Sequence, residues 1–172
     1  DDPRSLGAVL QGISTQHLPV WSITFLNPES IRLKKELPHR HGHPYEMEHE
    51  HFEPELPEQY IAMIAYPESR RGAIDTALDA LVSANSGSEL SAEAAEHEWE
   101  LRFSPMKLKR IGPSLVPTEV VVPLEEMAAV LEEIGRKIKQ PFILEGMHAK
   151  GDKVVLLGFI PHDERSLAFN MA

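Results

Sequence analysis

A chain of 172 residues with 42% hydrophobic content is long enough to bury one compact core, and its formal net charge of -10 argues against nonspecific nucleic-acid binding, which is led by phosphate neutralisation. The absence of cysteine excludes disulfides, thiolate catalysis, and iron–sulfur or zinc sites held by cysteine within these residues. No apolar run approaches the roughly 18 residues that cross a bilayer, and no basic segment followed by an apolar stretch opens the chain, so a soluble protein is expected. It starts Asp1-Asp2-Pro3, as an excised piece of a longer protein or a processed N-terminus would.

Leu6, Val9, Leu10, Ile13 and His17 lie on one face of a helix that Pro19 ends. Val20 to Leu26 alternates, with Trp21, Ile23 and Phe25 on one side and Ser22 and Thr24 on the other; this predicts a half-buried strand with Trp21 in the core rather than at a cofactor. Residues 37–58 change character: five histidines (His39, His41, His43, His49, His51), six glutamates and four prolines leave little to bury, which predicts a long exposed excursion. Imidazole beside carboxylate suits zinc, nickel or copper, yet H-x-H-x-H belongs to no closed ligand set, so a solvated loop is the expected state.

Tyr60 to Tyr66 reads as a short apolar strand, and Ile74, Ala77, Leu78, Leu81 and Val82 as a second helical stripe ended by Asn85-Ser86-Gly87-Ser88. Ser91 starts another helix, which carries His97, read as a surface histidine, into Trp99. From Trp99 to Pro123 the acidic chain turns locally basic. Arg102, Lys107, Lys109 and Arg110 come with no carboxylate between Arg102 and Thr118, just upstream of a Val120 to Val122 strand expected to be buried.

Pro123 suits a helix start, and Leu124, Met127, Ala128, Leu131, Ile134 and Ile138 form its buried stripe. Glu125 and Glu126 lie at the positive end of that helix, and Arg136, Lys137 and Lys139 at the negative end. Phe142 to Met147 and Lys153 to Ile160 read as two strands of a hairpin joined through His148-Ala149-Lys150-Gly151-Asp152. Irregular alternation of helices and short strands without a glycine-rich phosphate loop predicts one α+β domain over residues 1–172. It should be ferredoxin-like, with helices packed on one face of a mainly antiparallel sheet.

The order of Tyr60-Ile61-Ala62-Met63-Ile64-Ala65-Tyr66, a helix, Trp99-x-x-Arg102, a basic proline-containing link, Glu119-Val-Val-Val-Pro123, a long helix and a terminal hairpin resembles the C-terminal substrate (cap) domain of FAD-linked oxidases. These are flavoproteins of the glycolate oxidase and D-lactate dehydrogenase type. The resemblance covers about residues 5–160. It implies a cap that closes over the flavin held by a separate FAD-binding domain of the same polypeptide, and a small 2-hydroxy acid as substrate.

It also implies that Arg102 binds the substrate carboxylate, for which a guanidinium offers a planar pair of donors. Family members with a catalytic metal carry a second histidine after a G-D-G-N-type turn. Here one histidine, His148, is followed by Val154 and Val155, so no metal is expected there. Pro117 stands where the family has a lysine, a charge that Lys107, Lys109 or Arg110 would supply from the loop.

The leading expectation is therefore the capping part of an FAD-dependent 2-hydroxy-acid oxidoreductase. Its substrate-binding candidates are Arg102, Lys107, Lys109, Arg110 and His148. The isolated piece should be inactive and should hold no flavin of its own. The location should be cytoplasmic, with membrane association only through partner subunits. Two other classes compete: a metal-binding module using the His/Glu-rich loop 39–55, and a ligand-sensing domain that reuses the fold.

Overall fold

The computed structural model describes residues 2–36, 54–102, 114–149, 152–163 and 165. In chain order these form α1 (Pro3–Thr15), β1 (Ser22–Leu26), α2 (Pro28–Lys35), β2 (Ile61–Ala65), a single 3₁₀ turn (Glu68–Arg70), α3 (Arg71–Ala84), α4 (Ala92–Leu101), β3 (Ser114–Pro123), α5 (Leu124–Lys137), β4 (Ile143–Ala149) and β5 (Lys153–His162). The strands make one sheet in the order β2-β1-β4-β5-β3, every neighbouring pair antiparallel. The α+β, ferredoxin-like class expected from the sequence is the one observed.

Local chemistry explains where the helices begin. Asp2 and Asn27 cap α1 and α2 with side-chain oxygens that accept from Arg4 N and Ser30 N, and each helix has proline in its first turn, where no N–H is needed. Ser91 does the same for α4, accepting from Ala94 N. Helix α5 has no side-chain cap; it leaves β3 directly at Pro123, with Glu125 and Glu126 in its first turn and Arg136 and Lys137 in its last.

The main core lies between one face of the sheet and the layer formed by α1, α3 and α5. Leu10, Ile13, Ile23, Phe25, Met127, Leu144, Val154 and Leu156 are its most buried members. Successive strand residues point to opposite faces. Leu26 and Ile61 therefore face away from this core and meet Ile31 of α2 and Ala94 of α4 in a second cluster, while Ile143 and Phe159 meet Leu33 of α2 in a third. Thus α2 and α4 lie against the reverse face, so the helices are not confined to one face of the sheet as the sequence suggested; strand alternation gives the sheet apolar residues on both sides to cover.

Their side of the sheet is only partly covered. One row of paired residues, Met63, Thr24, Met147, Val155 and Val121, crosses all five strands on the reverse face, with Met147 and Val121 exposed. On the core face the packing is close enough that Gly146 has no alternative. A Cβ there would lie 1.9 Å from Phe25 Cζ.

Three further expectations change. Trp21 is 75% exposed: β1 begins one residue later, at Ser22, so the indole precedes the strand whose Ile23 and Phe25 enter the core. The Val120 to Val122 segment is not a buried strand: β3 is a sheet edge paired only with β5, so Val120 and Val121 are exposed and Val122 alone reaches the core. That edge position also tolerates Pro117, which cannot donate to a second neighbour. His97 is not a surface side chain but half-buried against Glu98, 3.3 Å from its carboxylate.

Candidate functional site

Helix α4 carries the Trp99-x-x-Arg102 pair and is fixed from two sides. Ala94 is buried against Leu26 and Ile61, and one turn on, the Glu98 carboxylate, 4% exposed, is paired with Lys34 of α2. Both anchors hold the end of α4 to the reverse-face side of the sheet. There Arg102 is the C-cap residue: its guanidinium lies 3.8 Å over the Trp99 ring and Nη1 donates to the Trp99 carbonyl oxygen. A cation against an indole face and a donor for one of the last helical carbonyls both favour this pose. The group is thus held planar and oriented by its own helix.

Trp99 also lines a cleft of about 340 Å³ whose other walls include Trp21, Ile64, Ala65, Tyr66 and Arg71. Pairing of β1 with β2 builds it, since Trp21 N donates to Ala65 O at 2.7 Å and so sets the indole beside the end of β2. The Tyr66 hydroxyl donates to Asp75, and that hydrogen bond, with some burial, pushes the phenol up to about 12. Arg71 has two loose ionic neighbours, Asp75 at 3.5 Å and Glu68 at 3.8 Å.

Of the sequence candidates, Arg102 and His148 lie among the described residues, and they fall on opposite sides of the sheet. His148 alternates with Leu144 and Gly146 and so points to the helix-covered face, opposite the side to which α4 is held. Its side chain is 15% exposed; Nε2 has no hydrogen-bond partner among the described residues and lies 3.9 Å from Asp152 Oδ1, which accepts from Ser14. Lys107, Lys109 and Arg110 lie outside the described residues, as do His39, His41, His43, His49 and His51. No group of three or more His, Asp or Glu placed to hold a metal occurs among the described residues.

Sequence reasoning missed Trp21, Tyr66 and Arg71 as neighbours of Trp99. Nothing in the linear chain brings residues 21, 66 and 99 together. It takes the β1–β2 register and the docking of α4. It also missed Glu145, on the reverse face between Leu26 and Leu157, whose carboxyl is pushed up by burial despite the opposing charge of Lys34.

No family profile and no curated protein sequence matches the chain. Among solved structures, alkyldihydroxyacetonephosphate synthase shares the fold with a TM-score of 0.59 at 15% identity, over 95% of this chain and 35% of that one. The chain therefore spans about a third of that enzyme's length. No helix among the described residues is long and apolar enough to cross a membrane.

Proposed function

We propose that this chain is the substrate-capping domain of an FAD-dependent oxidoreductase acting on a 2-hydroxy acid of the glycolate or D-lactate kind, partnered with an FAD-binding domain in the same polypeptide. The observation that carries the proposal is the fold likeness: a neighbour belonging to the FAD-linked oxidase family matches nearly this whole chain with about a third of its own. A domain-sized share of a larger flavoenzyme is what a cap would be.

The residues on hand suit a lid rather than a nucleotide holder. The row from Met63 to Val121 offers a mainly apolar band suited to cover a ring system and exclude water, whereas no glycine-rich loop follows a strand among the described residues. FAD, bound by its own domain, supplies the electron acceptor. The part left to this chain is to bind and orient the acid. Arg102, pre-oriented on Trp99, is the proposed carboxylate binder, and Lys107, Lys109 and Arg110 are proposed to add positive potential nearby.

The test is Arg102→Lys in the full-length polypeptide, with kinetics on a series of 2-hydroxy acids beside a melting curve. Loss of the bidentate fork at constant charge should lower kcat/KM about 10- to 100-fold, the equivalent of roughly 1.5 to 3 kcal/mol. A lower melting temperature with unchanged kcat/KM would reduce Arg102 to a helix cap. Lys109→Ala is the control, since a loop cation acting only through the general field should show a small effect that salt abolishes.

A further inference from the structure

Both tryptophans of the chain, Trp21 and Trp99, line the same cleft. An indole left 75% exposed, as Trp21 is, forgoes a large burial gain unless something else covers it. A cleft of about 340 Å³ is also far larger than a two- or three-carbon acid needs, and falls in the range that holds drug-sized ligands. Its lining combines flat aromatic surface from Trp21, Trp99 and Tyr66, aliphatic surface from Ile64 and Ala65, and the guanidinium of Arg71.

We infer that this cleft receives the aromatic side chain of an aryl-substituted 2-hydroxy acid, the ring lying among Trp21, Trp99 and Tyr66 while the carboxylate meets Arg102. The inference rests on the carboxylate-binding reading of Arg102 and specifies what the rest of the substrate is. Arg102 is not itself a lining residue of the cleft; its guanidinium lies 3.8 Å over the Trp99 ring that forms one wall, so a ligand seated in the cleft reaches it around the edge of that indole. That spacing suits a ligand whose ring and carboxylate are joined through two or three carbons. Among the described residues Arg71 is held by ion pairs of 3.5 and 3.8 Å, both on the surface, and such pairs hold a side chain weakly. It is therefore able to swing over the bound ring.

Because both fluorophores line the cleft, the emission of the 172-residue chain reports on that site alone. Titration with 3-phenyllactate, lactate and the uncharged 3-phenyllactamide, excited where only indole absorbs, separates ring from carboxylate. We expect a saturable change with 3-phenyllactate at a concentration at least tenfold below that needed for lactate. Trp21→Ala, a surface change that leaves Trp99 as reporter, should abolish that preference, and Arg102→Gln should weaken 3-phenyllactate and leave 3-phenyllactamide unaffected.

If 3-phenyllactate and lactate bind equally and Trp21→Ala changes nothing, the aromatic cleft is overturned while the carboxylate role of Arg102 stands. If 3-phenyllactamide binds as tightly as 3-phenyllactate and Arg102→Gln is silent, the carboxylate role falls and with it the hydroxy-acid part of the inference. Absence of any saturable change with 3-phenyllactate overturns the inference outright.

Discussion

Lys34 of α2 closes an ion pair with Glu98 of α4, the residue before Trp99, and the two members are buried very unequally, at 30% and 4% side-chain exposure. The pair therefore couples a helix on the reverse face to the residues proposed to meet substrate. Removing the lysine leaves a buried carboxylate with His97 Nδ1, 3.3 Å away, as its remaining partner, which costs several kcal/mol, whereas removing the glutamate's charge leaves an ammonium that still reaches solvent. Lys34→Ala should destabilise the chain by about 3 kcal/mol and Glu98→Gln by distinctly less. Urea unfolding of the two variants checks the order; equal losses would mean that Glu98 reaches water after all.

Asn27 joins three elements with one side chain. Its Oδ1 accepts from Ser30 N at 3.0 Å and from Leu144 N at 3.1 Å, and its Nδ2 donates to Phe142 O at 2.8 Å. Asn27→Ala removes the helix cap and the donor to Phe142 O, while Leu144 N keeps Ser30 Oγ as an acceptor at 3.1 Å, for a loss of about 2 kcal/mol. Asn27→Asp keeps the acceptor and loses only the donor to Phe142 O, so it should fall between alanine and the parent. Thermal unfolding of the three proteins gives the ranking.

Gly146 is required by its neighbour rather than by its backbone angles. With Phe25 fully buried and its ring where the Cβ would go, Gly146→Ala should cost at least 1 to 3 kcal/mol. Adding Phe25→Leu should recover part of the loss if overpacking is the cause. A double variant less stable than Gly146→Ala by the full cost of Phe25→Leu would show that the two do not interact.

Glu145 makes stability depend on pH in a stated direction. Burial raises its folded-state pKa above the unfolded value, so the native state holds the proton more tightly. Its stabilising contribution is complete below the unfolded pKa, near 4.3, and is lost as pH rises through the folded value. Glu145→Gln should therefore raise the melting temperature at pH 7, and the difference from the parent should vanish below about pH 4. A gain that persists unchanged at low pH would attribute the effect to packing.

The local elements were readable because their causes are local. The 3.6-residue stripe of Leu124, Met127 and Leu131 predicts α5 together with its buried face, and alternation of Ile23 and Phe25 with Thr24 predicts β1. Helix α2, which the apolar pattern does not mark, has equally local causes: Asn27-Pro28-Glu29, with Arg32, Lys34 and Lys35 one turn later, carries a cap, a first-turn proline and charges matched to the dipole.

By itself, then, the sequence determined the α+β class and the helices that carry their own periodicity and caps, including the one that runs into Trp99. Only the tertiary structure decided which residues share a surface. Burial of Glu98 depends on Lys34, 64 residues away, and exposure of Trp21 depends on where β1 joins Ala65. His148 and Arg102 part company because strand alternation assigns His148 to the helix-covered face, while docking of α4 holds Arg102 to the other. Periodicity records which side of an element is apolar. Strand order and register determine what lies opposite it, and they are set by pairings between segments far apart in the chain.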